Sequence, residues 1–345
     1  MPLFRRVVSF VIVSGLLAVA VACGASDKNS DAEGRGSILV YSGRDEGLVA
    51  PMIDLLSGDL DFTVDVDYTG NTHTQVGRML AEGDDTPAEV FFGQDAAALG
   101  MLDENEMLET LPDDILGMVP ARYRSSKGTW IATSARERVL IFNSARVTDA
   151  QLPAGIDGLL DPRWRGQITY APTNPSFQSF VTALRVMRGD DAARRWLTNF
   201  LANDPIALPD NGSVVQAVTS GQATLGLTNH YYWYPLALTG GAASSVGLHR
   251  FAAGDPGALV NVAGAGVVKH SDNKAQAIEF LRALLSEGAQ EYFADEAAEY
   301  PVVSGVTSTT YELPPLAEVA GLDIDLDELA SVAQTRTMLS EVGMV

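Results

Sequence analysis

One cysteine, Cys23, stands in a chain of 345 residues, so no disulfide can form within it and stability has to come from packing. Basic residues are also scarce: 23 Lys and Arg face 44 Asp and Glu, for a formal net charge of −21. A surface of that sign repels phosphate backbones and anionic head groups, which sets nucleic-acid binding aside. Only four histidines occur, His73, His230, His249 and His270, and no two are at i, i+4 spacing, so a histidine zinc site on one helix is not expected. The patterns G-x-S-x-G, H-E-x-x-H, G-x-x-x-x-G-K-[ST] and paired C-x-x-C are missing. With no nucleophile and base pairing in view, the chain is not expected to be an enzyme, and a hydrolase is the weakest competing reading. Aromatics make up only 8% of the chain, which makes "NHYYWYP" at 229–235 conspicuous.

The long apolar run lies at the start. Arg5 and Arg6 precede "VVSFVIVSGLLAVAVA", and small residues lead up to Cys23. Residues 1–23 therefore read as an export signal. "AVAC" followed by Gly24 resembles the lipobox of bacterial lipoproteins, which implies lipidation of Cys23; the alternative is a free thiol at the foot of the signal. "GASDKNSDAEGRG" (24–36) is small, polar and aperiodic, as a flexible tether should be. Without the two leader arginines, 21 basic residues remain against 44 acidic ones, a balance of −23.

From residue 37 strand and helix patterns alternate. "SILVYS" (37–42), "FTVDVDY" (62–68) and "AEVFF" (88–92) read as strands, and residues 46–57, "TQVGRMLAEG" and "DAAALGML" as helices. That alternation predicts a parallel α/β sheet. Two longer extended stretches, 129–143 and 257–271, bracket a second α/β unit. It has strands at 167–171 and 223–229 and helices near 175–188, 190–202 and 213–220. Helices follow after 272, and the tail closes on one near 326–341. The expected architecture is two lobes joined by paired hinge strands, with a cleft between them. The glycines of "GAGVV" (264–268) lack the third glycine of a dinucleotide loop and are expected to let the hinge bend.

Several residues carry chemistry. Asn174-Pro175-Ser176 starts a helix, with Asn174 as cap and Pro175 at the first helical position. Such an end either simply caps the helix or, with the hydroxyls of Thr173 and Ser176, also attracts an anion. "PDNGSVV" at 209–215 is a second capped start, and Arg136 and Arg138, on alternate positions of an extended stretch, can aim a guanidinium at the cleft. The run "YYWY" follows a strand and so sits at the carboxyl end of a sheet, where open α/β folds bind ligands. Four consecutive aromatics cannot all face one core, since helical neighbours point about 100° apart. A tyrosine oxygen is a hard donor once deprotonated, and a trivalent cation can draw off its proton below the free value near 10.

These segments, taken with "ILVYSGRDEGLVAPMIDLL", "SARERVLIFNSARV", "DPRWRGQITYAPTNPSFQSFVTAL", "GSVVQAVTSGQATLGLTNHYYW" and "AEYPV", resemble the ferric-iron-binding solute-binding proteins of bacterial ABC importers over residues 37–311. The resemblance implies a type II periplasmic-binding-protein fold. Residues 37–135 plus 262–305 would form the N-terminal lobe, and 136–261 plus 306–345 the C-terminal lobe. It implies Tyr231 and Tyr232 as iron ligands, and a synergistic carbonate, phosphate or citrate-like anion on Asn211, Asn229, Thr173, Asn174, Ser176 and Arg136 or Arg138. In the N-terminal lobe Asp45 stands where many members have a ligating histidine, and Gln94, next to Asp95, where some have a glutamate. Asp45 supplies a carboxylate to an altered site, or the C-terminal lobe holds the metal alone, or the ligand is an organic anion or sugar on which the tyrosines stack. The expected protein is a monomeric, extracytoplasmic, lipid-anchored carrier of Fe3+, working with an ABC permease and its ATPase.

Overall fold

The first three strands of the chain each end in a loop that caps a helix. Asp45, Asn71 and Asp95 accept backbone N–H groups from Leu48, Thr74 and Ala98 at 3.1, 3.0 and 2.9 Å. An Asx side chain there satisfies a donor that the first helical turn leaves unpaired. In the computed structural model, residues 36–240, 245–319 and 321–345 are described. The predicted signal, Cys23 and the tether through residue 35 lie outside them.

Ten strands occur among the described residues: β1 (Ser37–Ser42), β2 (Thr63–Asp67), β3 (Val90–Gly93), β4 (Ile131–Asn143), β5 (Ile168–Tyr170), β6 (Ile206–Ala207), β7 (Leu225–Asn229), β8 (Val246–His249), β9 (Val260–Val267) and β10 (Tyr300–Pro301). The helices are α1 (Glu46–Ser57), α2 (Thr72–Glu82), α3 (Ala96–Glu104), α4 (Asp113–Met118), α5 (Pro175–Arg188), α6 (Asp190–Ala202), α7 (Asn211–Thr219), α8 (Trp233–Thr239), α9 (Lys274–Leu284), α10 (Glu287–Ala297) and α11 (Val332–Glu341). No helix among the described residues is long and apolar enough to cross a membrane.

The strand order is β2-β1-β3-β9-β4-β7-β5-β6. Strands β2, β1 and β3 are parallel, as are β7, β5 and β6, but β9 runs antiparallel to β3 and β4, and β7 antiparallel to β4. The sheet is therefore mixed rather than parallel, because the segments that pass between lobes must run both ways. Strand β4 is the seam. Its Ile131–Glu137 part pairs with β9, and from Arg138 it pairs with β7.

Two large cores lie on either side of that seam, and a smaller cluster gathers around Val139, Ile141 and Val218. The first gathers Val40, Phe91, Leu99, Trp130 and Phe280, and the second Leu140, Trp164, Phe177, Trp196 and Phe200. The tail departs from the expected assignment of 306–345 to the second lobe. Leu316, Val319, Leu322, Leu326 and Leu329 join the first core, where Asp327 accepts from Trp130 Nε1 at 2.8 Å and Ser126 N at 2.9 Å. From Ser331 on the tail reaches the second lobe: the Ser331 carbonyl accepts from Arg185 Nη1 at 3.0 Å, Met338, Leu339 and Met344 enter its core, and Thr335 Oγ1 is bonded to Thr182 Oγ1 at 2.7 Å. Burial of five apolar side chains outweighs proximity in sequence to the closing helix.

Candidate metal centre

Strand β7 ends at the buried Asn229, and the chain turns at once through a 3-10 segment, His230–Tyr232, into α8. The turn separates the aromatics by direction. Tyr234 is buried and Trp233 donates Nε1–H to the Val246 carbonyl at 2.8 Å, so both pack. Tyr231 and Tyr232 remain half-buried and line the cleft, their ring centroids 4.7 Å apart and the planes inclined by 32°. Asn229 Nδ2 donates to the Tyr231 hydroxyl at 3.1 Å, which fixes that phenol in place. Burial raises the Tyr232 phenol above the ordinary tyrosine value, and the adjacent Tyr231 adds to the shift.

Behind the tyrosines the starts of two helices meet. Asn174 caps α5 by accepting from Ser176 N at 3.0 Å, and the same Oδ1 accepts from Ser176 Oγ at 2.6 Å. Asn211, buried at the start of α7, donates Nδ2–H to Ser176 Oγ at 3.1 Å and to Asn174 Oδ1 at 3.4 Å. The cap of α7 is the preceding Asp210, which accepts from Ser213 N at 2.7 Å and leaves the Asn211 amide for the site. Arg138 comes in from β4: Nη1 donates to Ser176 Oγ at 3.3 Å and Asn229 Oδ1 at 3.4 Å, and Nη2 to the Leu227 carbonyl at 3.0 Å. Among the described residues no carboxylate pairs with this guanidinium, and burial pulls it down to about 10. Arg138 Nε and Asn211 Oδ1 are buried without a partner, so the group retains unspent polar capacity.

Arg136 shares the strand face but not the cradle. It is buried near Glu299 and His230, on which its charge acts, and its Nη1 has no hydrogen-bond partner. The seam in β4 falls between the two arginines, so only Arg138 reaches the second lobe's helix starts. Thr173 is exposed, and its carbonyl accepts from Gln178 Nε2 at 3.3 Å.

Across the cleft stand Arg44, Asp45, Asn71, Gln94 and Glu299, enclosing with the tyrosines a cavity of about 560 Å³. Asp45 is exposed and spends Oδ1 on capping α1. Gln94 lines the cavity, with its backbone N–H held by Thr72 Oγ1 at 3.1 Å. Asp95 does not line it. That carboxylate is buried as the cap of α3 and is a structural residue. Sequence reading overlooked Arg44 and Glu299, a bidentate pair at 2.9 and 3.3 Å whose side chains are 0% and 4% exposed. "SGRD" and "AEYPV" contain both residues, but nothing local signals a bond between positions 255 apart.

No group of three His, Cys, Asp or Glu side chains among the described residues could hold a metal. Hard donors lining the cleft are thus the two phenols and, on the facing wall, the carboxylates of Asp45 and of Glu299, the latter already paired with Arg44. Another cavity, of about 410 Å³, lies within the first lobe between Pro120, Pro301 and Leu316, and its one cationic residue, Arg122, stacks over Tyr123 at 4.6 Å. It offers no comparable donor pair.

Residues 79–326 match the family model described as bacterial extracellular solute-binding protein. The chain is 31% identical over 335 residues to the Fe(3+)-binding periplasmic protein of Serratia marcescens, a match covering 95% of both chains. It also resembles the solved structure of iron-bound HitA from Pseudomonas aeruginosa, with a TM-score of 0.80, 28% identity, and 89% and 99% of the two chains covered. A Trichodesmium protein solved with iron and citrate ligands gives a TM-score of 0.79 at 28% identity, covering 90% of this chain and 100% of that one.

Proposed function

The chain belongs to the bacterial extracellular solute-binding proteins, and on that premise we propose that it captures ferric iron in the cleft and delivers it to an ABC permease with its ATPase. The observation that carries the reading is the adjacent phenol pair at the end of β7, 4.7 Å between ring centroids, facing a cavity walled by both lobes. Two phenolates offer the hard anionic oxygens that a small trivalent cation prefers. Burial keeps the Tyr232 proton on in the empty cleft, and the cation's charge supplies what is needed to displace it. Names of the similar proteins from Serratia marcescens and Pseudomonas aeruginosa, which specify iron, agree with this.

Asp45 completes the protein ligands from the first lobe, and Gln94 and Asn71 hydrogen-bond what else enters. A cavity of about 560 Å³ is far larger than an ion, so iron arrives with a carbonate, phosphate or citrate-like anion. That anion engages Ser176, Asn211 and Arg138, exchanging their mutual hydrogen bonds for charge-assisted ones, with Asn174, Asn229 and Thr173 around them. Because the ligand touches both lobes it binds the closed form better and shifts the population towards it. The moving bodies are residues 37–135 with 262–331, and 136–261 with α11. Cys23 carries a lipid that tethers the monomer at the outer face of the membrane.

The experiment uses residues 24–345, ferric salt and citrate or bicarbonate. Wild type should develop a visible phenolate-to-iron charge-transfer band. At one hundred times the dissociation constant it should gain about 2.7 kcal/mol of stability. Tyr231→Phe with Tyr232→Phe should lose both. A colourless wild type that melts unchanged overturns the reading, and an organic anion that raises the melting temperature without colour would replace it.

A further inference from the structure

His230 is completely buried. Its Nδ1 accepts the backbone N–H of Glu137 at 3.1 Å, which places the ring proton on Nε2. Glu137 is the last residue of β4 to pair with β9, and the next, Arg138, pairs with Asn229. The histidine thus holds the strand where it changes partner. One face of the ring lies flat on Tyr300, with centroids 4.2 Å apart and planes within 1°. Tyr300 comes from the first lobe, where β10 pairs it with Ala135 of β4.

The stack cannot slide. Tyr300 donates its hydroxyl proton to Glu137 Oε2 at 3.1 Å, and Arg250 donates Nε–H to the same oxygen at 2.9 Å. Arg250 Nη2 also reaches the hydroxyls of Tyr300 and Tyr234 at 3.2 Å each. The imidazole then meets Tyr231 and Tyr234 edge to face, at 5.8 and 6.0 Å. Burial holds the ring neutral at physiological pH, lowering it to about 3.

We propose that His230 is a positioning residue that carries the setting of the hinge, through Tyr300 and Glu137, to the Tyr231 phenol. The inference rests on the reading of Tyr231 as an iron ligand. A phenylalanine at 230 could stack but could not accept the Glu137 N–H, and an asparagine could accept but not stack, so histidine serves both contacts. A rotation between the lobes displaces Tyr300 and Glu137, and Tyr231 is displaced with them. The pair is then held in ligating geometry only at the hinge angle of the closed form.

The test compares His230→Ala, His230→Phe, Tyr300→Leu and Tyr300→Phe in the 24–345 protein. Three quantities are read: the maximum of the charge-transfer band with ferric citrate, the rate of iron release to a competing chelator, and the 13C ring resonance of Tyr231 without iron. His230→Ala and Tyr300→Leu should shift the band and weaken iron retention about 10- to 100-fold, the usual effect of losing a group that orients a ligand. His230→Phe should shift the band in the same direction by less, and it decides the matter if His230→Ala does not fold. Tyr300→Phe, which keeps the stacked ring but loses the hydroxyl's bonds to Glu137 and Arg250, should fall between wild type and Tyr300→Leu. An unchanged band and release rate in His230→Ala, or in His230→Phe should that stand in for it, overturns the proposal. If the wild type takes up no iron, the ligand reading falls and the apo resonance judges the positioning alone: displacement of the Tyr231 signal upholds it, and a signal at the wild-type position refutes it.

Discussion

Removing the Glu299 carboxylate would leave the Arg44 guanidinium buried without a counter-charge, lining the cavity that receives the cargo. Breaking one partner of a buried pair costs about 3 to 5 kcal/mol, whereas replacing both by apolar side chains is often close to neutral. Glu299→Leu should therefore lower the urea midpoint sharply, and Arg44→Met with Glu299→Leu should recover most of the loss. The pair also sets an acid limit. Burial by itself would raise the Glu299 carboxyl, but the Arg44 charge, its two hydrogen bonds and one from the Ser134 hydroxyl outweigh that and hold it below the ordinary 4.5. A carboxyl lowered in the fold contributes stability in full above its unfolded value and loses it as pH falls through the folded one. The stability gap between wild type and Glu299→Gln should thus be constant near neutrality and narrow once pH drops below about 4.5. Urea melts at stepped pH measure it, and a gap that widens in acid would contradict the assignment.

At the scale of elements, the glycines of β9 show how a sequence pattern can be seen and its cause misjudged. "GAGVV" suggests a hinge that bends, yet neither Gly264 nor Gly266 has a left-handed backbone. Close approach is the reason for glycine here: a Cβ on Gly264 would stand 2.4 Å from the Ile131 carbonyl oxygen and 2.7 Å from Leu99 Cδ1. Gly264→Ala should cost about 1 to 3 kcal/mol by overpacking the β4–β9 seam. Gly117→Ala in α4, where nothing lies within 4 Å, should be neutral or stabilising. Matching melts for the two variants would refute the packing argument. Elements with local causes were readable: Asx caps with apolar periodicity mark α1 and α5, periodicity alone marks α6, and a short apolar run marks β1. What depends on distant partners was not. Arg136 and Arg138 do share a face, but a partner change in β4 sends them to different neighbours. The short β8 and β10 exist only because β4 offers them an edge, and the tail up to Leu329 follows the first core rather than the helix it precedes. For the candidate site, four aromatics in a row pick out the tyrosines that line the cleft, whereas the Arg44–Glu299 pair and the contacts of His230 are ones that only the fold creates.

For the whole molecule, three crossings tie the lobes: β4 at Glu137 and Arg138, the passage from Ala258 in the second core to Val260 in the first, and the tail between Leu329 and α11. Closure has to turn about all three at once, which confines it to a hinge bend around a fixed line and brings Asp45 and Tyr232 together instead of sliding them past each other. The body that closes is strongly acidic, with a formal net charge of −21 for the chain. A ferric ion carrying two citrates is itself an anion, so long-range repulsion slows its approach. On the proposed reading, the attraction that holds it acts inside the cleft, at Arg138 and the phenols. Salt screens the first effect over a Debye length of about 10 Å at 0.1 M and leaves the enclosed contacts much less affected. The association rate of ferric citrate, followed by stopped-flow through the growth of the charge-transfer band, should therefore rise between low and moderate ionic strength while the dissociation rate hardly moves. An association rate that falls with salt would mean that the cargo arrives as a cation, drawn in by the acidic surface, and that the accompanying anion joins it only within the cleft.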